Sequence, residues 1–367
     1  GRIVGLWKHA LEKYFENGGK TWPKATNRAP GFVNSNAKIW GQQTSDGKCA
    51  TVYNPSEFRW PLAVSTSEGG LEYNDLYLVH GDITPMRYGG NYKSRGPQYV
   101  RGILENNGTP PDGDMWVTYS VNKEDMWVAR VPVPITDKAV SHADEKFNSI
   151  AEGKELDVWN IYSPLWAPVK IEKRNDGKRW LSLKDWDYFD YAKAERVIPE
   201  SKILKASFSV IPMQNDKGNL QIEFQNARGE TCTRIIFDND GNMKLKTGAR
   251  YNTLTPYEAG KIYDISVSLS TPTRSLTMKI NDKEIPTRLF FNPIESVTRI
   301  VFRTGDLPLD PTPNTPADRF TDMEDTGKID PVSQSYIGYL KTSDPSTHSA
   351  VLNVDDFKHY VDYFNRM

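Results

Sequence analysis

The chain has 367 residues, enough for two domains each with its own core. With 46 basic against 47 acidic residues its net charge is -1, which supplies no global field for nucleic acid or an anionic membrane. No apolar run approaches the roughly 18 residues needed to span a bilayer, so the sequence reads as soluble with no membrane span.

Residues 1–135 are rich in β signals. Gly1 opens directly on a strand-like run, which suggests a trimmed chain whose leader says nothing about location. Asn17-Gly18-Gly19-Lys20-Thr21-Trp22 is a tight hairpin signal. Asn17 can bond nearby backbone, Gly19 supplies a positive φ, and Trp22 is expected to wedge between neighbouring sheets. About fifty residues on, Thr66 to Tyr73 repeats the pattern in degraded form, with Glu68, Gly70 and Tyr73 in the matching places. A period near fifty suits four-stranded propeller blades. Cys49 here and Cys232 in the second half lie far apart in sequence, and free thiols are expected.

Three stretches then gather chemistry: Phe58–Leu62, Met86–Gly102 and Trp116–Trp127. Gly-rich loops dense in Arg and Tyr are where binding residues tend to sit. A guanidinium grips a carboxylate in a two-pronged fork, which suits an acidic sugar. The candidates for binding substrate are Arg59, Arg87, Tyr88, Lys93, Arg101 and Asn122. Arg87 is taken as exposed, so Arg87→Ala should leave stability within about 1 kcal/mol. The bland alternative is an Arg/Tyr surface that packs one domain on the other. Carboxylates are plentiful in Glu68, Asp75, Asp82, Glu124 and Asp125. Val131-Pro132-Val133-Pro134 marks a strand leaving its sheet. The polar stretch 136–158 reads as a linker, with one helical turn around Ala143–Ile150.

From 159 to 367 the pattern is a string of period-two segments. Tyr263 to Ser270 alternates apolar and polar residues strictly. Leu220, Ile222 and Phe224 face one way, and Gln221, Glu223 and Gln225 the other. Such strands have one buried and one wet face, the antiparallel case. Asp238-Asn239-Asp240-Gly241 reads as a hairpin turn; the further ligands of a calcium loop are missing. A short turn is expected within 188–196, and 306–331 is a Pro- and Asp-rich loop. No Cys/His spacing suits zinc, and neither metal nor cofactor is expected.

Trp159 to Trp166, Leu181 to Asp185 and the strand series that follows resemble a concanavalin A-like (laminin-G) domain. That resemblance implies two curved sheets and a glycan-binding concave face. The first 135 residues resemble the end of a bacterial sialidase-like glycosidase with Asp-box (BNR) repeats. The fold expected is therefore all-β: a partial β-propeller-like region at 1–135, a linker at 136–158 and a concanavalin A-like jelly-roll β-sandwich at 159–367. The sialidase resemblance implies an arginine cluster of Arg59, Arg87 and Arg101, with Tyr99 or Tyr119 as the nucleophilic hydroxyl and Glu124 as its activating partner. No residue matches that family's acid/base Asp, and the Phe/Tyr-Arg-Ile-Pro element is missing from the chain start. At about fifty residues per blade the first part makes two and a half to three blades, so either upstream blades are absent or this is a reduced relative. Exposed sheet edges would then have to dock on the sandwich or pair with another chain.

Three functions remain open: a glycoside hydrolase acting on an acidic or complex glycan, a non-catalytic carbohydrate-binding protein, and a structural or adhesive module. The first needs an accessible carboxylate pair or an activated Tyr. The second needs only a groove of aromatic and hydrogen-bonding side chains. A glycan or polysaccharide is the expected partner, nucleic acid is not, and the family resemblance places the protein outside the cytosol.

Overall fold

In the computed structural model, residues 2–34, 36–82, 84–105, 108–136, 139, 141–305, 321–329 and 331–345 are described. Much of the expected loop 306–331, and everything beyond 345, lies outside them. No helix among them is long and apolar enough to cross a membrane.

The first part builds three small antiparallel sheets. β1 (Ile3–Trp7), β2 (Leu11–Phe15) and β3 (Asn27–Arg28) form the first. β4 (Trp40–Gln43), β5 (Cys49–Tyr53), β6 (Leu62–Ser67) and β7 (Tyr77–His80) form a four-stranded meander, the connectivity of one propeller blade. β8 (Pro97–Ile103), β9 (Met115–Val121) and β10 (Asp125–Val131) form the third. One apolar cluster joins the last two sheets through Val52, Leu62, Val64, Val100, Val117 and Val121. The Asn17 turn forms as its residues dictate: the Asn17 carboxamide accepts the Lys20 and Thr21 N–H groups, and Gly18 and Gly19 take positive φ. Trp22 departs from expectation. It lies edge-on to Phe15 at 3.8 Å and stays 58% exposed, so it wedges into no neighbouring sheet.

The second part is a two-layer sandwich. Its strands are β11 (Asp144–Lys146), β12 (Trp159–Tyr162), β13 (Val169–Lys173), β14 (Arg179–Asp185), β15 (Lys193–Ser201) and β16 (Ile203–Pro212). There follow β17 (Leu220–Gln225), β18 (Thr231–Phe237), β19 (Asn242–Thr247), β20 (Arg250–Pro256), β21 (Tyr263–Ser270), β22 (Ser275–Ile280), β23 (Lys283–Leu289), β24 (Val297–Thr304) and β25 (Ser333–Ser343). One sheet runs β13-β14-β25-β16-β21-β22-β23 with β11 added beside β25; the other runs β12-β15-β24-β17-β18-β19-β20. Inward residues of both interdigitate as one core, including Phe208, Phe224, Ile265, Met278, Phe302 and Leu340. The Asp238–Gly241 hairpin forms, with Gly241 at φ 76 and Lys244 bonded to both Asp238 and Asp240 at 2.6 Å.

Three expectations need correction here. Residues 188–192 hold no helix; they are irregular backbone leading into β15. Gln221 and Glu223 are not wet. They are buried because Arg303 reaches both and Arg234 also binds Glu223, so the outward face of β17 carries a satisfied ion network. The stretch read as linker is partly sandwich: β11 pairs with β25, and Ala143 and Phe147 enter the core. Its one helical turn, Phe147–Ser149, does form.

The two parts dock through a polar and aromatic seam. Trp127 stacks on Tyr162 at 5.0 Å, and His80 meets the edge of the same ring. Asp82 accepts from Lys193 Nζ at 2.9 Å and from the Tyr191 hydroxyl at 2.6 Å. Asp190 accepts from Tyr162 and Thr84 at 2.8 and 3.0 Å. These bonds and stacked rings dock the first part on the sandwich.

Candidate functional site

β8 and β9 pair in register at Pro97 and Gln98, slip by a bulge, and resume at Arg101. The extra residues turn Tyr99 outward with φ 61, a conformation that costs a bulky side chain about 1–3 kcal/mol. Bulges of this sort re-aim a side chain. Here the ring is 39% exposed and three cations lie against it: Arg59 at 5.2 Å, Lys38 at 5.4 Å and Lys123 at 5.7 Å from its centre. The Arg59 guanidinium bonded to the phenol holds its pKa below the ordinary value, against a small opposing effect of burial, with Lys123 adding to the fall.

Two of the three cations are held in place by other groups. Arg59 Nη1 donates to Gln98 Oε1 at 2.7 Å, and Gln98 in turn donates to the Ser94 carbonyl at 2.8 Å. Lys123 Nζ donates to the Tyr92 carbonyl. Gly96 permits the loop to pass here, since a Cβ on it would fall 2.1 Å from the Arg59 carbonyl oxygen. Phe58, Trp60 and Tyr92, on the segments carrying Arg59 and Gly96, remain exposed. Cations beside exposed rings suit an anionic sugar: charge grips its carboxylate and rings cover its apolar face.

The other candidates are distributed differently. The Glu124 carboxylate is buried and accepts from the one Arg87 backbone N–H, at 3.1 and 3.0 Å from its two oxygens, from Tyr88 N at 2.9 Å, and from Lys93 Nζ. It brackets the 86–93 loop. Arg87 is not exposed as expected but 8% accessible. Burial alone would lower its pKa; Asp125, Asp187 and Glu124 overcome that and hold it up. Burial likewise raises the Asp125 carboxyl against the pull of Arg87. Arg87 also binds the sandwich, its carbonyl accepting from Met323 N at 2.8 Å. It therefore serves the seam and is no free fork. Tyr88 is 40% exposed, with Arg87 and Lys93 each 5.9 Å from its ring centre.

Tyr119 is 2% exposed. His80 Nε2 faces the Asp82 carbonyl at 3.1 Å and must donate to it, so Nδ1 accepts the Tyr119 hydroxyl at 3.0 Å. Burial pushes the Tyr119 phenol up and the His80 imidazole down to about 4. A buried phenol already donating its proton is a poor nucleophile. Asn122 is also structural: it accepts from Gly96 N and donates to the Thr84 carbonyl, both at 2.8 Å. Arg101 is exposed on β8 beyond the bulge. Of the remaining carboxylates, Asp75 bonds Thr66, and Glu68 pairs with Lys48 at the surface. Of the groups gathered at the Tyr99 ring, sequence reasoning singled out Arg59 and Tyr99 but not Lys38, which only tertiary packing brings there. Lys123 lay inside a favoured stretch without being singled out. Both cysteines are free, and among the described residues no cluster of His, Cys, Asp or Glu suits a metal ion.

Residues 159–319 match the family model described as "Sialidase-like, CBM domain". That match covers 161 of the chain's 367 residues. Over its whole length the chain is also similar to a solved structure titled "Sialidase", with 53% identity and a TM-score of 0.91. It covers 34% of that structure's chain, so it spans about a third of that relative's length. An "Apo Crh5 transglycosylase" (14% identity, TM-score 0.38, 57% of this chain and 86% of that one) is too distant to support an argument. The same holds for a Bacillus licheniformis beta-glucanase (9%, 0.37, 56% and 100%). No curated protein matches the chain. The first two of these likenesses are both to carbohydrate-directed proteins.

Proposed function

We propose that the chain is the C-terminal portion of a sialidase-like glycoside hydrolase, working outside the cytosol on an acidic glycan, with a concanavalin A-like module after its blades. The observation that carries this reading is Tyr99: an exposed phenol on a strained bulge, its pKa depressed, with Arg59, Lys38 and Lys123 around it. The cations would take the sugar carboxylate, and the Tyr99 oxygen would attack the anomeric carbon as the glycosidic C–O bond breaks and an acid protonates the departing aglycone oxygen. The required acid and the residue that relays the proton from Tyr99 are sought in the larger part of the relative that this chain does not span. Glu124 and Tyr119 have no part in that chemistry, for the reasons of burial and bonding given above.

The test is an array of neutral and acidic glycans probed with the chain and its Arg59→Ala variant. Retention of carboxylated sugars that falls at least tenfold in the variant supports the reading. Equal retention by both proteins, or preference for neutral sugars, would refute it. In the longer protein, Tyr99→Phe should abolish release of the reducing sugar, and undiminished turnover would remove Tyr99 from the mechanism. A binding role without hydrolysis shares the same site, and is the outcome if the longer protein retains acidic glycans but releases no sugar.

A further inference from the structure

The outward face of the larger sandwich sheet carries a groove of about 690 Å³ across β25, β16, β21, β22 and β23. Its floor is two rows of side chains, two residues apart on each strand and so on one face. In the first row Lys341 lies opposite Ser207, Ser207 opposite Ser266, Ser266 opposite Lys279, and Lys279 opposite Glu284. In the second, Lys205 lies opposite Ser268 and Ser268 opposite Thr277. The same strands bury Ala206, Val267, Met278 and Leu340 on the other side, so the core fixes the register and with it the pattern of the rows.

Three features give the groove its chemistry. The lysines at 205, 279 and 341 are exposed, and none of their ammonium groups forms an ion pair or hydrogen bond among the described residues. The carboxylates nearest in register, Glu284 beside Lys279 and Asp144 beside Lys341, do not close on them. Between the lysines the floor offers hydroxyls, which both donate and accept, as a sugar's own hydroxyls do. Among the described residues no Trp, Tyr or Phe is part of the lining, and Tyr339, two residues before Lys341, has its phenol bonded to Ser207, so stacking on a flat neutral sugar face is not what the groove provides.

We infer that this groove is a second glycan site, separate from Tyr99, and that it takes a chain of carboxylated sugars. At about 4.8 Å between strands, Lys341 and Lys279 are about 14 Å apart, so one extended oligosaccharide spans both while the serines between meet its hydroxyls. The inference rests on the carbohydrate-binding character of the sandwich and not on the chemistry assigned to Tyr99. Across β23 the bulge between Leu276 and Met278, with Pro286 on the edge strand, closes the sheet against addition of another strand. The groove's open side is thereby left to a ligand that needs no backbone ladder.

The experiment is affinity electrophoresis of the whole chain through gels containing polygalacturonate, its fully methyl-esterified form, or dextran sulfate. The first two share a backbone and differ in charge. Retardation by the free acid, little by the ester, and at least a tenfold loss in Lys279→Glu/Lys341→Glu are expected. That variant should keep the melting temperature of the parent, because both side chains are exposed and unpaired. The Arg59→Ala variant separates the two sites: retardation that survives Arg59→Ala and disappears in the lysine variant assigns binding to the sandwich whatever the fate of Tyr99. Equal retardation by acid and ester, retention confined to dextran sulfate, loss in Arg59→Ala alone, or no retardation at all would overturn the inference.

Discussion

Tyr99 joins an unfavourable backbone angle to an exposed, cation-flanked hydroxyl. If the strain serves binding, relieving it should separate stability from function. Tyr99→Asn tolerates the left-handed conformation and should hold or raise stability by up to about 1 kcal/mol, while retention of acidic glycans falls. Denaturant melts beside glycan retention check both halves; a loss of stability would make Tyr99 a packing residue. Arg87 behaves in the opposite way. Its guanidinium is buried among Asp125, Asp187 and Glu124, so Arg87→Ala leaves carboxylates unpaired and should cost about 3 kcal/mol or more. The same melts measure it, and a change below 1 kcal/mol would restore the exposed-loop reading. The sequence marked both arginines alike, since an Arg in a Gly-rich loop looks the same whether it faces solvent or a neighbouring domain. Only the docking partner, a hundred residues away at Asp187, separates them.

At the scale of elements, alternation and turn chemistry were legible because they are local. Tyr263–Ser270 and the Asp238–Gly241 hairpin stand as their residues imply. The outward face of β17 was not legible, because Gln221 and Glu223 look solvated until Arg303 and Arg234 reach them. The bulge that creates the Tyr99 site was equally silent: nothing in Pro-Gln-Tyr-Val-Arg announces a register slip. Its nearest signal is Gly96, and the loop's passage over Arg59 depends on that missing Cβ. Gly96→Ala should therefore destabilise the chain by about 2 kcal/mol and displace Arg59, with acidic-glycan retention falling beside the melting temperature. Unchanged retention would show that the loop can shift without disturbing the cations.

The whole molecule depends on a seam rich in buried ionisable groups. Burial pushes the Asp190 carboxyl up to about 7 from an ordinary value of 3.8, and Asp187 adds to it, although Tyr162 and Thr84 bond it. A raised acid favours folding while protonated. Its contribution is full below pH 4 and is lost as pH rises toward 7. The wild type should thus lose stability over that window relative to Asp190→Asn, which carries no such charge; melting temperatures at pH 5 and 7.5 make the comparison, and parallel slopes would contradict it. Asp82 has the reverse sign. Burial would raise its pKa, but Lys193 and Tyr191 hold it low, so its contribution falls away only in acid. That the chain is all-β was plain from its spacing, whereas the seam was not, because its partners come from separate runs of sequence. Where to cut the gene is a practical consequence of β11. A module excised at Trp159 would lack the strip that hydrogen-bonds alongside β25, the Phe147 ring, and Glu145, which neutralises the deeply placed Arg196 from the opposite layer. Expression trials of the isolated module should begin ahead of His142, and those that begin at Trp159 should yield aggregating protein.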